Sequence, residues 1–133
     1  MSEGAGGRRK PLDFLRQIVN VVLAESNLPP QVMNDIKKMI ARAEDKYRFS
    51  VFGGDVRKLK DYFESPEFED LINVVKSAHT DKVKALEVLL KILEKAKEAY
   101  KDYPDIVAVI EKKIEEVKRI LEEREKELKS EKR

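Results

Sequence analysis

Histidine is the side chain most often used for proton transfer and metal binding near neutral pH, and this 133-residue sequence contains one, His79. It contains no cysteine, so thiolate metal sites, disulfides and cysteine nucleophiles are excluded. His79 lies in the predicted interhelical break SAHTD, without a second histidine for a metal site or a proton relay. We therefore expect a surface or capping histidine and no metal.

Carboxylates alone can bind Mg²⁺ or act as acid and base. Glu67, Glu69 and Asp70 fall in the first turn of a predicted helix, where the helix dipole favours negative charge. A second acidic group alternates with lysines near the C-terminus: Glu115, Glu116, Glu122, Glu123, Glu125 and Glu127. Neither group provides the repeated Glu-x-x-His or Glu-x-x-Glu pairs of a carboxylate-bridged metal centre. We interpret both as solvated helix faces.

The Gly53-Gly54 pair precedes a predicted helix, and helix N-termini attract anions. However, the phosphate-loop spacing Gly-x-x-x-x-Gly-Lys-Ser/Thr is absent, and Asp55 would repel a phosphate. A turn with positive φ explains the glycines better. No Gly-x-Ser-x-Gly motif occurs either. The sequence thus predicts a protein that is not an enzyme and uses no cofactor.

The segment KYRFSVFGGDVRKLKDYF, residues 46–63, holds five of the nine aromatic residues. Tyr47 and Phe63 fall on helical apolar stripes, so both are predicted to be core. Phe49 and Phe52 belong to no stripe, and we expect at least one at a contact site; the alternative is that both rings pack into the helix bundle. Adding the basic residues around them gives the predicted binding site: Phe49, Phe52, Arg48, Arg57, Lys58 and Lys60.

These residues must be positioned by helices, because apolar residues recur at helical spacing in every long segment. Proline or a capping residue stands at each break. The segment ESNLPP ends the first helix. The predicted helix starts are Pro11, Pro30, Asp55 as an N-cap, Ser65 as an N-cap before Pro66, Thr80 as an N-cap, and Pro104.

The last predicted helix, residues 104–129, carries apolar residues at a seven-residue repeat: Val107, Ile110, Ile114, Val117 and Leu121. A two-stranded seam would use this pattern, but Arg124 at a seam position argues against a long self-dimer. Beyond Leu121 the only apolar residue is Leu128. We therefore expect residues 122–133 to be poorly protected from hydrogen exchange in the isolated protein.

The predicted fold class is all-α: a single-domain bundle of five to six helices that ends in a long antiparallel helical hairpin. Residues 1–10 are predicted to be a flexible tail, 11–129 the helical domain, and 130–133 a frayed end. Hydrophobic and charged residues each make up 41% of the chain, which is typical neither of disorder nor of a membrane protein. The N-terminus lacks the apolar stretch of a secretory signal, so a cytoplasmic location is expected.

Composition also bears on origin and partners. The chain is rich in Lys and Glu, with one threonine and two glutamines, which is typical of hyperthermophiles; a designed origin is the alternative. The net charge of +2 does not favour nucleic-acid binding. The predicted function is a non-catalytic helical protein–protein interaction or scaffold module, either a monomer or a weak homodimer through the last helix. The alternative is a small RNA- or single-stranded-DNA-backbone-binding subunit of a larger complex, with Phe49 and Phe52 as stacking rings.

Overall fold

The computed structural model describes residues 15–47, 58–77 and 82–131, and these ranges form six α-helices without a strand. The predicted all-α class is therefore confirmed. The helices are α1 (Leu15–Ala24), α2 (Pro30–Tyr47), α3 (Lys58–Phe63), α4 (Pro66–Lys76), α5 (Lys82–Ala99) and α6 (Pro104–Glu131). Several predictions lie outside the described residues, among them the tail over residues 1–10, the helix start at Pro11, the turn at Gly53-Gly54, the caps Asp55 and Thr80, and the placement of His79.

Proline and capping residues set the helix ends where the structure describes them. At the α3–α4 junction, the Phe68 backbone N–H donates to the Ser65 hydroxyl over 3.3 Å, and that hydroxyl donates to the Tyr62 carbonyl over 2.6 Å. Pro66 then occupies the first turn of α4, where its missing N–H has no helical partner to lose. The predicted starts at Pro30, Pro66 and Pro104 are confirmed.

Buried apolar residues from all six helices form one hydrophobic cluster, as expected for a single domain. α5 contacts α1, α4 and α6. The aromatic part of the core joins α3 to α4: the Phe68 ring lies 5.5 Å from the Tyr62 ring and 5.1 Å from the Phe63 ring, both edge-on. Phe63 is fully buried, as predicted. Tyr47 packs against the core but stays half-buried.

The buried stripe of α6 differs from the predicted seven-residue repeat. Val107 is only half-buried, whereas Ile106 and Val109 are buried beside Ile110. The reason is that α6 packs against both α3 and α5, so its apolar face is wider than the seam of a two-stranded coil.

α5 and α6 are joined by a short connection, and Lys97 forms an ion pair with Glu111 across them at 3.2 Å. α6 has 28 residues and α5 has 18, so α6 is about 15 Å longer at about 1.5 Å per residue. Leu121 is the last buried residue of α6 among those whose side chains are described. α6 therefore extends beyond the part that the core anchors.

Candidate functional site

A groove of about 290 Å³ lies between α2 and α4. Its lining consists of Met39, Arg42, Ala43 and Lys46 from α2, and Glu67 and Asp70 from α4. The four α2 residues are spaced three, four and seven apart, which places them on one helix face. Met39 and Ala43 are its two apolar residues, and the other four carry charges. The groove thus combines an apolar floor with a charged rim.

Ala43 leaves space in the groove because its side chain ends at the β-carbon. Ala43 itself is buried, with 3% of its surface exposed. Met39, one turn earlier, is half-buried and packs against the core. A longer side chain at position 43 would occupy the space that the groove leaves open.

One end of the groove is closed by a cluster that we call the α2–α4 latch: Lys46, Tyr47 and Glu67. The Lys46 ammonium pairs with the Glu67 carboxylate, and the Tyr47 hydroxyl donates to the same carboxylate over 2.7 Å. The hydrogen bonds from Lys46 and then Tyr47 lower the pKa of Glu67 to about 2. The hydrogen bond to Glu67 in turn raises the pKa of Lys46. The latch therefore holds the last turn of α2 against the first turn of α4.

The other charged pair of the groove is open. Arg42 and Asp70 are both exposed, and neither forms an ion pair within the described part of the chain. Arg42 stands on the α2 wall and Asp70 on the α4 wall. The groove can therefore offer one cation and one anion, on opposite sides of an apolar floor, to a bound molecule.

The opposite side of α4 carries a second charged cluster, which we call the α4–α6 cluster: Glu69, Lys113 and Glu116. The Lys113 ammonium lies 2.7 Å from Glu69 Oε2 and 3.4 Å from Glu116 Oε1, with 15% of its side chain exposed. It also lies 5.9 Å from the centre of the Phe68 ring, within cation–π range. This lysine joins α4 to α6 and has no unpaired carboxylate beside it.

Burial and the two neighbouring carboxyl groups determine ionisation in the α4–α6 cluster. Burial raises the pKa of Glu116, and the hydrogen bond with Glu69 raises it further. Burial also opposes ionisation of Glu69, but hydrogen bonds from Lys113 and Glu116 outweigh it and lower the pKa of Glu69. For Lys113, the carboxyl groups outweigh burial and raise the pKa. As the pH falls, Glu116 therefore takes up a proton before Glu69 does.

A third charged contact joins α1 to α2. Glu44 is buried, with 7% of its surface exposed, and lies 3.3 Å from the Arg16 guanidinium. Burial raises the pKa of Glu44, and the charge of Arg16 partly offsets this. Since a buried carboxylate needs a partner, the contact has a structural role.

Of the six predicted binding residues, the structure describes Lys58 and Lys60. Both belong to α3, two positions apart, so they point to different faces of the helix. Lys58 is exposed, while Lys60 is half-buried and pairs with Glu64 at 3.3 Å. The remaining predicted residues lie outside the described part of the chain: Arg48, Phe49, Phe52 and Arg57. Lys58 and Lys60 therefore do not share one face of α3, and the predicted binding site as a whole stays a prediction.

The interpretation of Glu67, Glu69 and Glu116 as simply solvated was incomplete. Glu67 and Glu69 do occupy the first turn of α4, but they also form contacts with α2 and α6 respectively. Glu67 and Glu69 are two residues apart, so the sequence already indicates that they lie on different sides of the helix. The sequence does not indicate which helix packs against each side.

A second surface cavity, of about 310 Å³, lies between α5 and α6 and is lined by Glu94, Lys97, Glu98, Lys101 and Val107. Its two lysines are already paired, Lys97 with Glu111 at 3.2 Å and Lys101 with Glu98 at 3.7 Å. Val107 is its single apolar lining residue. This cavity offers a bound molecule less unpaired charge and less apolar surface than the α2–α4 groove.

Across the described ranges, no three His, Cys, Asp or Glu side chains are grouped so that they could hold a metal ion. The helices in these ranges include none that is both long and apolar enough to span a membrane. No protein-family model, curated protein or solved structure matches the chain.

Proposed function

We propose that the chain is a non-catalytic helical protein–protein interaction module, and that the α2–α4 groove is its docking surface. The observation that carries this proposal is the contrast between two charge pairs of one groove. Lys46 and Glu67 neutralise each other, while Arg42 and Asp70 remain exposed without an ion pair in the described part of the chain. Unpaired charges around an apolar floor are the pattern of a polar rim around an interface core.

The groove is of a size to hold one side chain of a partner protein. At about 290 Å³ it falls just below the range of about 300–1,000 Å³ that is typical of pockets for small molecules. Its floor consists of two apolar side chains, which suits one anchoring side chain of a partner protein. A few such anchors supply most of the affinity in protein interfaces.

A photo-crosslinking amino acid at position 42 tests the proposal in an extract of the source organism. The matched control carries the same amino acid at position 87, because Glu87 is exposed on α5 and does not line the groove. We expect one identifiable protein to be crosslinked from position 42 and not from position 87. The purified partner should then bind the wild-type chain and bind more weakly to the Met39→Glu variant.

Equal crosslinking from both positions, or binding of the purified partner that Met39→Glu leaves unchanged, would contradict the proposed docking surface. Strong, salt-dependent binding of random-sequence single-stranded nucleic acid would support instead the alternative that the sequence analysis kept open.

A further inference from the structure

The charged residues on the two walls of the α2–α4 groove determine which charges a partner can carry. This inference rests on the proposed function of the groove as a docking surface. Arg42 favours an anionic group in a bound partner, and Asp70 favours a cationic one. Because the two residues stand on opposite walls, one partner must present its acid and its base on opposite flanks of the side chain that enters the groove. A purely acidic or purely basic partner would satisfy one wall and be repelled by the other.

The spacing of the floor favours a helix as the bound segment. Met39 and Ala43 are four residues apart, about 6 Å along α2 at about 1.5 Å per residue. Residues four apart on a bound helix recur at the same interval, whereas side chains on one face of an extended strand recur at about 6.6–6.8 Å. A helix lying in a groove between two helices is also a recurrent mode of peptide recognition.

The latch end of the groove contributes little to the choice of partner. Lys46 and Glu67 neutralise each other at one end of the groove, so that end offers no net charge to a partner. The charges that can select a partner are those of Arg42 and Asp70.

We propose that the α2–α4 groove binds an amphipathic helical segment of another protein that carries one apolar anchor flanked by an acidic residue facing Arg42 and a basic residue facing Asp70.

A display library of short helical peptides tests this inference without knowledge of the natural partner. The library is selected on the wild-type protein and, separately, on the double variant Arg42→Glu/Asp70→Lys. This variant exchanges the charges of the two walls and leaves the net charge unchanged. Both residues are exposed, and thermal melting monitored by circular dichroism verifies that the double variant folds.

We expect peptides selected on the wild type to carry an apolar residue with an acid and a base on opposite flanks. They should bind the double variant at least about tenfold more weakly, which corresponds to about 1.4 kcal/mol. Exchanging the acid and the base within such a peptide should restore binding to the double variant. This restoration distinguishes charge recognition from a general disturbance of the groove.

The outcomes separate the two proposals. Peptides that Met39→Glu blocks, but that bind the wild type and the double variant equally, would overturn the charge rule and leave the docking surface in place. If no peptide binds, or if all bind regardless of Met39→Glu, both proposals fail. If the wild type forms a dimer and Met39→Glu abolishes it, the occupant of the groove is a second copy of this chain. That outcome would overturn the inference.

Discussion

The two sides of α4 use charge differently. Towards α6, Lys113 is largely buried and contacts two carboxyl groups and an aromatic ring. Towards α2, the latch is more exposed, with 61% of the Lys46 side chain accessible, and Arg42 and Asp70 lie beyond it. A charge buried without its partner is costly, whereas an exposed pair contributes little. The comparison suggests that the α6 side serves stability and that the α2 side is available for binding.

The largest loss in the free energy of unfolding is expected for a change in the aromatic contact between α3 and α4. Phe68→Ala removes a ring that is 2% exposed and packs edge-on against Tyr62 and Phe63. Replacing such a core phenylalanine by alanine costs about 3–5 kcal/mol, to be measured by denaturant unfolding. Val21→Ala is the control: with Val21 40% exposed, this variant should stay within about 0.5 kcal/mol of the wild type. A similar loss in both variants would contradict the described core.

Replacing one lysine on each side of α4 tests the comparison directly. Lys113→Met removes the ammonium group that contacts both Glu69 and Glu116, and we expect a loss of about 1–2 kcal/mol in the free energy of unfolding. Lys46→Met opens the latch, but this pair is exposed, so the unfolding midpoint should change much less. Denaturant titration of both variants in the same buffer gives the difference. Equal losses would show that the two sides are energetically alike.

The pH dependence of stability should have opposite signs for Glu67, on the α2 side, and Glu116, on the α6 side. Folding lowers the pKa of Glu67 from 4.5 to about 2, so the stability that this residue contributes is present above pH 4.5 and is lost as the pH falls towards 2. Folding raises the pKa of Glu116 above 4.5, so its contribution is present below pH 4.5 and is lost as the pH rises through the folded pKa.

We therefore expect Glu67→Gln to be less stable than the wild type at pH 7, with a difference that shrinks by pH 2. Glu116→Gln should be more stable than the wild type at pH 7, with a difference that disappears near pH 4. Unfolding midpoints measured between pH 2 and 8 check both expectations. A destabilised Glu116→Gln variant at pH 7 would contradict the described α4–α6 cluster.

The smallest effect concerns the end of α6. Amides after Leu121 should exchange faster than those between Ile106 and Val117, because no residue from 122 to 127 is buried and local opening exposes little apolar surface there. Hydrogen exchange followed by mass spectrometry measures the difference. Protection that increases with protein concentration would instead support the weak homodimer considered from the sequence.

α4 shows how far the sequence could predict the fold. The Ser65 cap and the start at Pro66 were both predicted, because they depend on local sequence and backbone geometry. The contacts of Glu67 and Glu69 were not, because they depend on which helix lies beside α4. The displaced stripe of α6 has the same cause, since α3 packs against it as well as α5.

The candidate site was harder to predict than the fold. The aromatic and basic pattern pointed to residues 48–60, whereas the groove is formed by α2 and α4, which are separated by α3 in the sequence. Met39 and Ala43 are ordinary apolar residues of α2, and Arg42 and Asp70 carry no motif. The groove that these four residues line depends on how α2 packs against α4.

If the α2–α4 groove is the docking surface that we propose, the small side chain of Ala43 sets thermodynamic stability against binding. Filling a surface depression with a larger apolar side chain is a common way to stabilise a protein, and its recurrent cost is lost function. If position 43 is randomised and variants are selected for heat resistance alone, larger aliphatic residues should accumulate. Selection for binding of a groove-directed peptide should retain alanine. The residue found at position 43 would then show whether selection acts on thermal stability or on binding.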